Sequence, residues 1–186
     1  MLPLSKQTLQ KCFPNTKSTT IDKYLDGINQ TLTKYSINTP LRIAAFLAQV
    51  AVESGSLFYV EEIASGSAYE NRKDLGNLEP EALEAAHKHG ATTGKFYKGH
   101  GFIQITGYFN HKSCGEALGI DLVNNPKLLC QSPYSALSAG WYWSSRKLNA
   151  LADVKEFRKI TKIINGGYNG LSERELFYYR NLALLG

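Results

Sequence analysis

A mainly α domain, with two helical lobes around a central cleft and a small β-hairpin, is the architecture that this sequence predicts on three observations. Apolar residues recur at helical spacing through several segments that begin and end with recognisable caps. β-Branched residues between tight-turn signals are confined to one short stretch, GFIQITG at 101–107. The third observation is size: 186 residues, 43% of them hydrophobic, suffice for one well-buried core and are short for two. A single domain over 1–186 is therefore expected.

Taken in order, residues 1–38 read as an N-terminal helical segment packed on the core. Its two short helices lie around Pro14 and the TKSTT turn, the second over 21–35 with Tyr24, Leu25, Ile28 and Leu32 apolar. Thr39 as N-cap and Pro40 as first helical residue open a helix over about 40–54, with Ile43, Phe46, Leu47, Val50 and Leu57 on one stripe. The cluster Ser54, Gly55, Ser56 is a natural stop, and 57–63 reads as an extended or irregular segment that folds back across the helix end. From Ser65 to Lys98 the chain is polar and weakly periodic, apart from the helical patch PEALEAAHKH at 80–89. So long a connection in a compact domain is usually functional. Beyond GFIQITG, helices are predicted at 108–119, 133–146, 153–164 and 171–185. Trp141 and Trp143 sit in an apolar helix and are expected in the core.

Glu53 is the first candidate for chemistry. It lies on the apolar stripe three residues after Val50, where desolvation would favour the protonated carboxyl that a general acid needs. Glu61 and Glu62 supply a second carboxylate. On a continuous helix Glu62 would lie roughly 13 Å along the axis from Glu53 and on the opposite face, but the stop at 54–56 lets it turn back. Inverting hydrolysis of a glycosidic bond needs an acid and a second carboxylate about 6.5 to 9.5 Å apart, with a water between. Taken alone, Glu53 also reads as a helix-end glutamate that snorkels to solvent, and Glu61 and Glu62 as a solvated acidic turn.

The formal net charge of +5 favours an anionic partner. No Asp or Glu occurs between Glu84 and Glu116, where Lys88, Lys95, Lys98, Lys112 and all four histidines fall, so a positive surface that strengthens in mild acid is expected there. Three cysteines, Cys12, Cys114 and Cys130, leave a thiol unpaired and suit a reducing compartment. His87 and His89 lack metal-ligand spacing, and neither a metal nor a cofactor is expected. The N-terminus has no basic region followed by an apolar core, so no export signal is visible and synthesis in the cytoplasm is expected. A monomer is the default at this size.

AAFLAQVAVESGS, YENRKDLGN, YKGHGFIQITGYFNH, ALGIDLVNNP and KIINGGYNG, in that order, resemble family 19 glycoside hydrolases over about residues 40–182. The short forms found as phage endolysins and bacterial cell-wall lytic enzymes are more similar than the larger plant chitinases. The resemblance implies a lysozyme-like fold, with Glu53 as general acid and Glu62 as general base. Thr106 would hold the attacking water. Gln104 and Asn165 would contact the sugar chain, and Arg174 would support Glu53 electrostatically. Tyr97 and Tyr108, flanking the glycine-bracketed motif, are candidates for contact with a sugar face. Glu70 competes with Glu62 for the second carboxylate.

Three departures stand out. Val52 replaces the His common just before the acid, and Asn169 stands where plant members carry an acid. His100 stands where an Arg is frequent, which implies substrate binding there that is weaker or dependent on pH. The expected partner is peptidoglycan, whose anionic backbone suits the charge, with chitin as the alternative; a lysin is ranked ahead of a secreted effector. A wall-binding protein without catalysis, and secondary membrane contact through a cationic last helix, are the rivals. Nucleic-acid binding is not expected, since no recognition motif accompanies the basic residues.

Overall fold

A helix buried on every side organises the protein. The computed structural model describes residues 3–186, and α3 (Pro40–Glu53) runs through its centre with every residue from Ile43 to Ala51 buried. The sequence reading of an amphipathic stripe is thus too narrow: the intervening Ala44, Ala45, Ala48 and Ala51 face neighbouring helices rather than water. Thr39 caps the helix by accepting a hydrogen bond from the Arg42 amide at 3.3 Å, and Pro40 occupies the first turn.

Around it pack α1 (Lys6–Cys12), α2 (Ser18–Lys34), α7 (Tyr134–Ser145), α8 (Leu148–Asp153), α9 (Phe157–Asn165) and α10 (Leu171–Leu185), sharing one large core. Helices α2 and α7 approach closely because Gly140 has no side chain: a Cβ there would lie 2.3 Å from the Tyr35 ring. Trp143 is fully buried edge-on against Phe46, and Trp141 packs against a smaller cluster, in keeping with a core role.

Two smaller apolar clusters underlie the stretch between residues 77 and 134. One is built on Ile105, Cys114, Leu122 and Leu129, the other on Ala82, Tyr97 and Tyr108. This stretch holds α4 (Pro80–Lys88), α5 (Thr93–Phe96), α6 (Tyr108–Leu118) and a 3-10 turn at Pro126–Cys130. The division into one large and two small interiors is the physical basis of a two-lobed molecule.

Two expectations need correction. The helix predicted at 153–164 begins only at Phe157, as α9, and the separate α8 precedes it, because Lys155 takes a left-handed backbone conformation (φ 61°) and its amide closes back on the Ala152 carbonyl at 3.0 Å. The predicted β-hairpin shrinks to two isolated antiparallel bridges among the described residues, Glu61 with His100 and His100 with Ile105. GFIQITG alternates like a strand, but Gly101 (φ 81°) and Gln104 (φ 53°) turn it after a single pair. A Cβ at Gly101 would meet the Ser138 hydroxyl at 2.5 Å, so glycine is needed for space as well as for φ. All three cysteines are free thiols.

Candidate active site

Helix α3 ends at Glu53, with Ser54 as its C-cap, and the stop positions everything that follows. The Ser54 hydroxyl donates to the Val50 carbonyl at 2.6 Å and accepts from the Leu57 amide at 2.8 Å, in place of the next helical turn. Gly55, Ser56 and Leu57 all take positive φ, which reverses the chain within three residues. Leu57 is buried as the stripe predicts, though it lies past the helix. The chain then runs extended beside residues 99–101: the Val60 carbonyl accepts from the Gly101 amide at 2.8 Å, and the Glu62 amide donates to the Gly99 carbonyl at 2.8 Å.

Glu53 is partly open, its side chain 17% exposed, and it is held by an ion pair rather than by apolar neighbours. The Arg174 guanidinium donates from Nη2 to Glu53 Oε1 at 2.6 Å and from Nη1 to Gln49 Oε1 at 2.6 Å. Its Nε donates to the Asn169 carbonyl at 3.2 Å, and Gln49 Nε2 donates to the Thr161 hydroxyl at 2.8 Å. Arg174, Gln49 and Thr161 are all buried. All three guanidinium nitrogens donate a hydrogen bond, so its charge is fixed beside Glu53. Asn169, which stands where plant members carry an acid, supports Arg174 through its backbone carbonyl rather than through a side-chain acid. Gln49 escaped the sequence reading, yet a signal existed, since it precedes Glu53 by one helical turn on the same face.

Glu62 is tethered at both oxygens. Tyr69 donates its phenol to Oε1 at 3.0 Å, and the Gly99 amide donates to Oε2 at 3.0 Å. Burial and the contact with Glu62 push the Tyr69 phenol's pKa up, so it stays a donor. Adjacent Glu61 points elsewhere, to Lys98 at 3.0 Å and Lys127 at 3.1 Å. Burial alone would raise its pKa, but the two lysines outweigh that and hold it low. Glu70 is occupied structurally: it accepts from the Thr92 hydroxyl and from the Gly94 amide at 3.0 Å, pinning the start of α5.

Of the other predicted site residues, Gln104 and Thr106 are half-buried in the turn that follows Glu62's partner segment. Gln104 Nε2 donates to the Gly101 carbonyl at 2.8 Å, and the Thr106 hydroxyl donates to the Gln104 carbonyl at 3.0 Å. Asn165 is half-buried and uses Oδ1 to accept from the Asn169 amide at 3.2 Å, which orders the loop that grips Arg174.

Three residues turn inward instead. Tyr97 is fully buried with its phenol donating to the Val123 carbonyl at 2.7 Å, and Tyr108 is 3% exposed with its phenol on Glu81. Neither presents a face to a sugar; both build the small cluster under α4. His100 is fully buried, its Nδ1 3.0 Å from His111 Nε2. Burial and the neighbouring imidazole push its pKa down to about 3, and burial pushes that of His111 down to about 4. The expected acid-strengthened positive stretch therefore loses two of its histidines, and Lys112 is spent on Glu81 at 2.7 Å.

The last helix is not cationic. Within α10 Arg174 and Arg180 are balanced by Glu173 and Glu175, and one face is buried in the core. Among the described residues no helix is long and apolar enough to cross a membrane.

Residues 30–152 match the family model described as chitinase class I of the glycoside hydrolase 19 group. An endochitinase of Arabidopsis thaliana is 36% identical over 127 residues, covering 67% of this chain and 39% of its own length. The chain thus spans about two fifths of that relative. Among solved structures, a bacterial family 19 chitinase superposes with TM-score 0.76 at 28% identity, covering 98% of this chain and 94% of its own. Chitinase C from Streptomyces griseus gives 0.75 at 27%, covering 98% and 76%.

Proposed function

The chain belongs to glycoside hydrolase family 19, the chitinase class I family, and from that premise we propose that it hydrolyses the β-1,4-linked backbone of an N-acetylated amino-sugar polymer with inversion at the anomeric carbon. The observation that carries the reading is the Arg174 guanidinium clamped between Gln49 and Glu53, because it fixes a partly open carboxyl at the end of an otherwise buried helix. In this reading Glu53 protonates the leaving glycosidic oxygen and the bond to the anomeric carbon breaks. Glu62 takes the proton of a water attacking the opposite face of the sugar, and the new C–O bond forms there. The two donors on Glu62, from Tyr69 and Gly99, fix its orientation. Thr106 would hold the water, and Gln104 and Asn165 would hydrogen-bond the sugar chain. Arg174 also offsets the negative charge that Glu53 gains on giving up its proton.

The names of the relatives favour chitin as the substrate. Peptidoglycan, with the protein acting as a cell-wall lysin, is the second reading, favoured by the net charge of +5, from which neutral chitin gains nothing. Mass spectrometry of fragments released from purified chitin and purified peptidoglycan, by the wild type and by Glu53→Gln, tests both. Soluble oligosaccharides from the wild type and none from the variant are expected, and their polymer of origin identifies the substrate. Absence of fragments from either polymer would sink the hydrolase reading in favour of a wall-binding protein.

A further inference from the structure

Adjacent residues of an extended segment project to opposite faces, so while Glu62 turns to Tyr69 and Gly99, Glu61 enters the wall of a separate cavity of about 550 Å³. Lys95, Lys98 and Lys127 share that wall with Glu61, and His89, stacked on Phe96 with ring centroids 4.9 Å apart, closes one side. Three ammonium groups thus face one carboxylate. Glu61 is divided between Lys98 and Lys127, and Lys95 forms no ion pair among the described residues. The lining is therefore left with a charge of +2. Lys98 also donates to the Glu62 carbonyl at 2.9 Å, which joins the cavity directly to the segment that carries the second carboxylate.

We propose that this cavity is a subsite for a carboxylate borne by the glycan substrate, such as the lactyl carboxylate of a muramic acid residue or the peptide attached there. The proposal rests on the hydrolase reading and refines it, since it makes acidic amino-sugar glycans preferred over neutral ones. Unbalanced lysines supply the attraction, and the Phe96 ring with Leu128 and Pro126 gives the substituent an apolar floor. The cavity thus begins one residue along the segment from the second carboxylate, on the segment's other face, with Lys98 bonded to both.

The test compares two oligosaccharides of equal length: one of N-acetylglucosamine only, the other alternating N-acetylglucosamine with N-acetylmuramic acid. In the second the carboxylate is either free or converted to a methylamide. The variant is Lys95→Ala with Lys127→Ala, both surface side chains whose loss leaves the fold intact. With the free carboxylate, KM should rise about tenfold and its salt dependence should shrink, while turnover of the neutral and amidated glycans stays as in the wild type. An equal change on all three substrates, or none on the free carboxylate, would overturn the subsite. Calorimetric binding of the same glycans to Glu53→Gln separates the two ideas. A glycan bound through its carboxylate but never cut by the wild type would sink the hydrolase and leave the subsite; a glycan cut without regard to its carboxylate would do the reverse.

Discussion

Lowering the pH from about 7 to about 5 should destabilise this protein through His100 and His111 before any carboxylate contributes. Both rings are buried and linked by a 3.0 Å hydrogen bond, and the His111 Nδ1 lies 2.8 Å from the Gly107 carbonyl. Their folded pKa values are pushed down to about 3 and about 4, whereas an unfolded chain would hold each near 6.5. A depressed histidine means that, below about 6.5, the unfolded state binds protons that the native state refuses. Stability is therefore fully present above that pH and is lost as pH falls toward the folded values, by about 1.4 kcal/mol per pH unit for each ring. At pH 5 the loss is about 2 kcal/mol for one ring and up to about 4 for both, with the pair titrating jointly. Against a typical total of about 5–15 kcal/mol, that is a large fraction. Glu61, Glu81 and Asp153 have pKa values held low by lysine or arginine partners, so what they contribute is lost only at lower pH, below about 4.5. Urea denaturation at intervals between pH 7 and 5 should show the slope in the wild type and a nearly flat line in a His100→Asn/His111→Asn variant. NMR titration of the two imidazoles checks the cause: a midpoint near 6.5 for either ring would refute the argument.

Arg174→Lys should lower kcat at least about tenfold and cost about 2 kcal/mol of stability, because a single ammonium cannot serve Gln49, Glu53 and the Asn169 carbonyl together; steady-state kinetics beside thermal melts would show both. Tyr69→Phe removes one donor from Glu62 and should reduce kcat about fivefold with KM unchanged; an unaltered kcat would free Glu62 from that dependence. Glu70→Ala should cost about 1–2 kcal/mol in a denaturation experiment through its lost contacts with Thr92 and Gly94, and leave the kcat of the folded enzyme intact. A folded but inactive Glu70→Ala would transfer the base role from Glu62 to Glu70.

Most helices were legible because caps and period agree: Thr39 and Pro40 before α3, and the proline and acid opening α4, mark their starts to the residue. The stop after Glu53 was legible from Ser54, Gly55 and Ser56, and Glu62 became a candidate only because that stop allows a reversal. Which way Tyr97, Tyr108 and His100 face was not legible. Tyr97 and His100 precede GFIQITG and Tyr108 follows it, and the turn at Gly101 and Gln104 between them breaks any alternation that would relate their faces. The expectation that Glu53 sits among apolar groups failed for a related reason: a local stripe does not disclose a guanidinium that arrives from a distant helix. Asn165 similarly has a readable position, ahead of two glycines, while its use in ordering the Arg174 loop depends on where Asn169 folds.

The contact between Arg174 and Glu53 spans 121 positions of sequence, and the stretch that matches the family model stops at residue 152. A fragment trimmed to that recognisable stretch would retain both glutamates and lack the group that holds one of them. Synthesis proceeds from the N-terminus, so a growing chain that has already folded α3 carries an unbridged Glu53 until Arg174 has been made. The acid half of the site consequently cannot be finished before Arg174 is made, and a nascent chain shorter than that holds the glutamates without the clamp.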